Sequence, residues 1–270
     1  MLRPPPPGSC YDHPMHDTPQ RIVSLSPALT ALACALGAGD RIIGISDLCA
    51  WPAAKTPARC GAPRTPAIDT LRALAPDCIL ASHSETDTSL VRAEFGLAMA
   101  LHVTQIATFA DAAGQLAALA RRIGCAPAGQ HWCSALDDAL ARADARAQTP
   151  PPRALLVLWA QPWIAAGAES FAGDLLQRCG AHNVAAQFGG RNPRAALDQF
   201  MRYNPAVIVL AQRAATPHDP GVFRRFGDVL AVMRRRIHLI DADHVAQLNP
   251  ALPAAAVQIT DWLHPNRANR

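Results

Sequence analysis

The sequence lacks the features that mark a membrane span or a nucleic-acid-binding surface. It contains no run of 18 or more apolar residues, so no segment is predicted to cross a bilayer. The net charge is only +4, and the densest basic run is Arg234 to Arg236. Nucleic-acid binders carry a clustered basic stripe with aromatic residues. This run follows apolar residues at helical spacing, namely Phe226, Val229, Leu230 and Met233, and we interpret it as cations at the C-terminus of a helix over 222–235.

The eight cysteines show neither a CxxC pair nor a regular spacing, which disfavours a zinc site or a disulfide framework. Cys49 and Cys60 share a proline-rich loop. They could form a disulfide in an oxidising compartment, or both could remain free thiols. No metal site is therefore predicted from the cysteines.

The first twenty residues are not predicted to form an apolar leader segment. Residues 1–20 contain four consecutive prolines and many polar residues where a secretory signal needs an apolar stretch. This composition predicts a disordered N-terminal extension, and residues 266–270 are expected to form a short tail. On this basis a cytoplasmic location stays open.

Catalytic motifs are absent as well. The chain has no GxSxG, HExxH or GxxxxGK[ST] pattern. The GxG at Gly37 follows a helix and precedes a strand, which is opposite to the order in a dinucleotide-binding fingerprint. We therefore predict a protein that is not an enzyme and has no intrinsic cofactor.

The segments that are present alternate between strand and helix patterns. RIVSLS, starting at Arg21, is a short β-rich run, and the next segment places Leu29, Leu32 and Leu36 at helical spacing before another strand. The alternation continues to about residue 126 and predicts an N-terminal α/β lobe over 21–126. Residues 127–149 carry apolar side chains at helical spacing and predict one long backbone helix.

A second lobe, over 150–265, repeats the plan of the first. LRALAPDCILA (71–81) and FMRYNPAVIVLA (200–211) both read as a short helix, a proline and a buried strand. The predicted fold class is α/β, with two Rossmann-like lobes that contain parallel sheets and are joined by the single long helix.

Ligands of open parallel sheets bind beyond the carboxyl ends of the strands, so two facing lobes predict a cleft between those ends. Three tryptophans lie in these loops, where a flat apolar face suits a large planar ligand; the alternative is that each packs in a lobe core. The predicted ligand-binding residues are Ser26, Pro27, Asp47, Trp51, His83, Glu85, Trp159, Gln161, Trp163, Asp243 and His244.

Two of these loops mix histidine with carboxylates. A bare transition-metal ion could bind through His83, Asp243 and His244, because histidine is the commonest such ligand. The spacing is not a specific metal signature, and contacts to an organic ligand are the interpretation that we prefer.

Four segments resemble a known family. RIVSLSPALTALACALGAGDRIIGISDLCAWP and IDTLRALAPDCILAS are similar to the opening of the periplasmic binding proteins of vitamin B12 and ferric siderophore importers. LLVLWAQPWIAAGAESFAGDLLQRCGAHNV and LDQFMRYNPAVIVLA resemble their second lobe. The match covers residues 21–263, and the cobalamin-binding branch of helical-backbone metal receptors is the most similar.

The resemblance implies a monomeric, periplasmic protein that captures a metal chelate, such as a corrinoid or a siderophore, and delivers it to an ABC permease. It also implies that Asp69 and Asp198 dock onto the permease, one from each lobe. Pro63 and Ser82 stand where some B12 binders hold the corrin with aromatic side chains. An enzyme or metal-handling protein of the cytoplasm on the same scaffold is the alternative.

Overall fold

The computed structural model describes residues 18–51, 56–83, 85–96, 101–106, 108–213 and 219–265. Within these ranges the chain forms two α/β lobes on either side of one long helix. None of the described helices combines the length and the apolarity that crossing a bilayer requires.

The first lobe is built on a parallel five-stranded sheet of order β3-β2-β1-β6-β7. Its strands are β1 (Ile22–Ser24), β2 (Ile42–Ile45), β3 (Ala58–Arg59), β6 (Cys78–Ser82) and β7 (Leu101–Thr104), and β4 (Gly61–Ala62) pairs with β5 (Thr65–Pro66) in a separate hairpin. Its helices are α1 (Pro27–Ala35), α2 (Ile68–Leu74), α3 (Thr88–Phe95) and α4 (Ala112–Arg122). Because β1 lies at the centre and is fully buried, its carboxyl end opens in the middle of the lobe.

The second lobe has a sheet of order β10-β8-β11-β12, with β9 added antiparallel to β8. Its strands are β8 (Arg153–Trp159), β9 (Ile164–Ala165), β10 (His182–Asn183), β11 (Val207–Gln212) and β12 (Ile237–Asp241). Its helices are α6 (Phe171–Arg178), α7 (Leu197–Met201), α8 (Leu230–Met233), α9 (Ala242–Val245) and α10 (Leu252–Leu263).

The backbone helix α5 runs from Ala126 to Arg146 and connects the lobes. It packs against α4 on one side and α10 on the other. Gly129 permits the close approach to α4, since a Cβ at this position would lie 2.4 Å from the Cβ of Ala120. The Trp132 indole N–H donates to the carbonyl of Pro250 at 3.2 Å, which ties the helix to the second lobe.

The internal repeat seen in the sequence has a structural counterpart. In the first lobe α2 is followed by Ala75, which adopts a left-handed backbone conformation directly before Pro76. In the second lobe Asn204 adopts the same conformation directly before Pro205. Each proline is then followed by the buried strand, β6 or β11, so the repeated residues place equivalent strands next to the centre of each sheet.

Three local expectations differ from the structure. Residues 18–20, expected to be part of the extension, are anchored because the N–H of Gln20 donates to Asp77 at 2.7 Å. The backbone helix ends at Arg146 instead of 149, short of the three prolines that follow. The helix expected over 222–235 is wrong: a 3-10 turn over 220–225 and the four-residue α8 are separated at Gly227 and Asp228.

The described cysteines are all free thiols, including Cys49 and Cys60. Burial raises the pKa of Cys60 and of Cys78 to about 11, and that of Cys179 to about 12. These three thiols are therefore protonated at neutral pH and act as small apolar side chains.

Candidate functional site

A cleft with a volume of about 100 Å³ lies between the carboxyl end of the first sheet and the loops of the second lobe. Its lining residues are Ser26, Ala28, Leu29, Ser82, Thr104 and Ile106 from the first lobe, and Phe171, Arg191, Ala246, Gln247 and Leu248 from the second. A cleft shared by two lobes is a usual place for a small-molecule site.

The first-lobe wall is rich in hydroxyl groups. Ser26, Ser82 and Thr104 follow or end the adjacent strands β1, β6 and β7, so the parallel pairing brings their side chains to one edge of the sheet. The Ser26 hydroxyl donates to the carboxylate of Glu85 at 2.7 Å. The Thr104 hydroxyl is buried and has no hydrogen-bond partner.

The second-lobe wall supplies a cation and an aromatic ring. Arg191 alone carries a formal charge among the described lining residues. Its backbone carbonyl accepts the N–H of Gly167 at 2.9 Å, and a Cβ on Gly167 would lie only 2.1 Å from the carbonyl oxygen of Gly190. Position 167 must therefore be glycine if the segment that carries Arg191 is to keep its position.

The predicted residues divide into those at the cleft and those engaged elsewhere. Ser26 lines the cleft, and Glu85 reaches it through the hydrogen bond to Ser26. Pro27 is the first residue of α1. Trp51 is half-buried and packs against the main core, whereas Asp47 is exposed.

The two predicted tryptophans of the second lobe differ in their burial. Trp163 packs against the lobe core, with its ring edge-on to Phe223 at 5.8 Å between centroids. Trp159 ends β8 and keeps 39% of its surface exposed, and Gln161 is exposed in the turn that follows.

The histidines and carboxylates proposed for a metal also lie apart. Asp243 pairs with Arg213 at 2.7 Å, His83 is exposed, and His244 is half-buried in α9. Across the part of the chain that the structure describes, no three His, Cys, Asp or Glu side chains gather as a metal site would need.

Sequence reasoning missed several lining residues. Gln247 and Leu248 fall in a strand-end loop that the pattern indicated, and Thr104 ends a strand, so position alone could have found them. Arg191 and Phe171 lie outside the strand-end loops that the pattern indicated, and the tertiary structure brings them to the cleft.

Helix α3 is capped at its N-terminus by a carboxylate from the loop before it. Asp87 is the N-cap of α3, and the hydroxyl of Ser89 lowers the pKa of the Asp87 carboxyl, with its backbone N–H adding to the effect. This carboxylate is committed to the helix start and is not a candidate ligand contact.

A family model described as periplasmic binding protein matches residues 22–226. This chain is a member of that family. The family resemblance drawn from the sequence is thereby confirmed, and its members are solute-binding proteins. A substrate-binding role follows for this binding protein.

Relatives and solved structures agree with this membership. The vitamin B12-binding protein of Vibrio parahaemolyticus is 20% identical over 254 residues, which is 93% of this chain and 92% of the relative. The periplasmic vitamin B12 binding protein of Vibrio cholerae superposes with a TM-score of 0.75 at 23% identity, covering 91% of this chain and 97% of that one. The periplasmic heme binding protein of the same organism gives 0.76 at 19% identity, covering 91% and 99%. At these identities the structures show the fold alone, and they confirm the two-lobed α/β class.

Two carboxylates occupy matching places on the lobes of this binding protein. Asp69 lies in the first turn of α2, with 97% of its side chain exposed, and pairs with Arg72 at 2.8 Å. Asp198 lies in the first turn of α7, is 55% exposed, and has Arg202 at 3.9 Å. Both carboxylates are exposed, and each has a neighbouring arginine three or four residues further along the chain.

Proposed function

We propose that this protein binds a metal chelate, with a corrinoid as the first candidate, in the cleft between its lobes and delivers it to an ABC permease. The observation that supports the proposal is the cleft itself, whose walls come from both lobes and combine apolar and polar side chains. Relatives named as vitamin B12-binding proteins make a corrinoid the first chelate to test.

The chemistry of the walls fits a ligand with an apolar body and polar groups at its edge. Leu29, Ile106 and Phe171 offer apolar contact, whereas Ser82 and Thr104 offer hydroxyl groups. Arg191 can receive a carboxylate, a phosphate or an amide oxygen, because its guanidinium presents several donors in one plane.

Calorimetric titration tests the binding step. We expect saturable binding of cyanocobalamin, and hemin and a ferric siderophore are the competing chelates. Arg191→Gln should weaken binding about tenfold or more, because it removes a charged donor from the cleft. The exposed Arg194 lies on the same segment outside the cleft lining, so Arg194→Gln is the matched control and should bind as the unchanged protein does. A folded protein that binds none of the three chelates would contradict the proposal.

The docking role of Asp69 and Asp198 belongs to the same proposal. Their equivalent positions on the two lobes suit a permease that contacts both lobes at once. On docking, each carboxylate would leave its neighbouring arginine and pair with a cation of the permease. Asp69→Arg and Asp198→Arg should abolish uptake of the ligand by cells and leave its binding in solution unchanged. Asp138→Arg, on the exposed face of α5, is the control and should transport normally. Normal uptake by both docking variants would contradict this role.

Direct capture of a bare metal ion is not supported, because no suitable cluster forms among the described residues. The absence of enzymatic activity and the monomeric state stay predictions.

A further inference from the structure

A carboxylate of the second lobe contacts the first lobe beside the cleft. Asp174, in the first turn of α6, accepts the backbone N–H of Phe109 at 2.9 Å and that of Ala110 at 3.3 Å. Phe109 and Ala110 begin the 3-10 turn that leads into α4, so their N–H groups are among those that a helix start leaves unpaired. A side chain of the second lobe therefore caps a helix of the first.

The charge of Asp174 suits this position. A helix start favours a negative charge, and hydrogen bonds to a carboxylate are stronger than those to a neutral acceptor. Next to it the rings of Phe109 and Phe171 lie 5.6 Å apart at 57°, and both are buried. The polar contact and the ring contact together form a continuous junction between the lobes.

This junction is continuous with both walls of the cleft. Phe171, three residues before Asp174, lines the second-lobe wall, and Ile106, three residues before Phe109, lines the first-lobe wall. Asp174 and the start of α4 are therefore each close in sequence to a residue that lines one wall of the cleft.

We propose that Asp174 is a positioning residue that holds the two lobes at the separation seen here and so sets the size of ligand that the cleft accepts. The claim about ligand size rests on the proposed function, whereas the claim about lobe separation does not. Asp174 acts through the backbone of residues 109–110 and is not among the cleft-lining residues.

Asp111 offers a matched comparison, because it caps the same helix start from within the first lobe. Its carboxylate accepts the backbone N–H of Thr108 at 2.9 Å and the Thr108 hydroxyl at 3.1 Å. Removing either carboxylate weakens the start of α4, but Asp174 holds that start from the second lobe and Asp111 holds it from the first.

Hydrogen exchange on Asp174→Ala and Asp111→Ala separates the two roles. We expect the amides of Phe109 and Ala110 to exchange about tenfold faster in Asp174→Ala, which is the effect of losing a charge-assisted hydrogen bond. Exchange should also rise on the opposite wall, in residues 189–194 and 246–248, because the lobes separate. Asp111→Ala should raise exchange only around residues 108–112. Asp174→Asn, which keeps the size of the side chain, should lie between Asp174→Ala and the unchanged protein.

Titration with cyanocobalamin and hemin tests the consequence for the ligand. For whichever chelate the unchanged protein binds, Asp174→Ala should weaken affinity about tenfold, because a loosened cleft has more conformations to lose on binding. Asp111→Ala should stay within about twofold. If neither chelate binds the unchanged protein, the proposed corrinoid or heme ligand fails while exchange still decides the role of Asp174. If Asp174→Ala changes exchange only in the first lobe, as Asp111→Ala does, Asp174 is a local cap and the proposal is overturned.

Discussion

The two lobes share one plan, yet they build their halves of the cleft from different parts of it. The first lobe presents hydroxyl side chains at the ends of three neighbouring strands, among them Ser82 and Thr104. The second lobe presents Phe171 from the start of a helix and Arg191 from a loop. A repeated fold therefore need not produce a repeated site.

The hairpin between β8 and β9 explains the difference. In the first lobe β1 is followed directly by α1, so its carboxyl end stays open to the cleft. In the second lobe β8 turns back into β9, and Ile164 also pairs with Arg194. With this hairpin in place, Trp163 packs against the lobe core, and residues 190–194 lie beside the cleft.

The largest effect is expected where the second-lobe wall is tightest. Gly167→Ala places a Cβ 2.1 Å from the carbonyl oxygen of Gly190, so the segment that carries Arg191 must move. We expect a loss of about 3 kcal/mol in the free energy of unfolding, measured by urea denaturation. Gly114→Ala in α4, where the added Cβ meets nothing within 4 Å, is the control and should stabilise the protein by about 0.5 kcal/mol. Equal stability of the two variants would show that the second-lobe wall is not packed as described.

The stability of the first lobe should depend more strongly on pH than that of the second lobe. Burial is the main cause that lowers the pKa of His102, on the edge strand β7, to about 4, and the charge of Arg122 adds to it. Because the folded pKa lies below the unfolded value, the unfolded state binds more protons below pH 6.5, so stability falls as the pH drops towards 4. Between pH 7 and pH 5 this group should contribute a loss of about 2 kcal/mol.

Urea denaturation at the two pH values checks this expectation. His102→Leu should lose that part of the pH dependence, whereas the exposed His131→Leu should retain it. If His102→Leu keeps the pH dependence of the unchanged protein, that dependence arises elsewhere. His264 of the second lobe is then the next candidate, because burial also lowers its pKa.

A smaller effect of opposite sign is expected at the strand ends of the first lobe. Thr104→Val removes a buried hydroxyl that has no partner, so the unliganded protein should gain about 1 kcal/mol in thermal unfolding experiments. Thr30→Val is the matched control: its buried hydroxyl donates to the carbonyl of Ser26 at 2.9 Å, so this change should cost about 1 kcal/mol. If Thr104→Val destabilises the protein as Thr30→Val does, the Thr104 hydroxyl is already satisfied.

The smallest effect is expected at the matching surface carboxylates. Asp69→Asn and Asp198→Asn each remove an exposed ion pair with a neighbouring arginine, and such exposed pairs contribute little to stability. Both variants should unfold at the temperature of the unchanged protein to within about 1 °C. A large loss in one lobe alone would show that its carboxylate has a structural role that the other lacks.

Much of the fold could be predicted from the sequence because the relevant signals are local. The helix–proline–strand repeat at Pro76 and Pro205, and the apolar spacing of α5, depend on residues close together in the chain. The failures are also local in origin: apolar periodicity over 222–235 predicted one helix, but Gly227 and Asp228 interrupt it. The candidate site was harder, since among the predicted residues only Ser26 lines the cleft directly.

The sequence by itself determined the two α/β lobes, their connecting helix and the family, because periodicity, turn residues and repeated segments follow from neighbouring positions. Only the tertiary structure decided which side chains face the cleft. Arg191 and Asp174 lie far along the chain from Thr104 and Phe109, and their proximity depends on how the lobes pack and on how β9 covers the end of β8. Such contacts arise from shape and close packing across the whole molecule, which no short stretch of residues encodes.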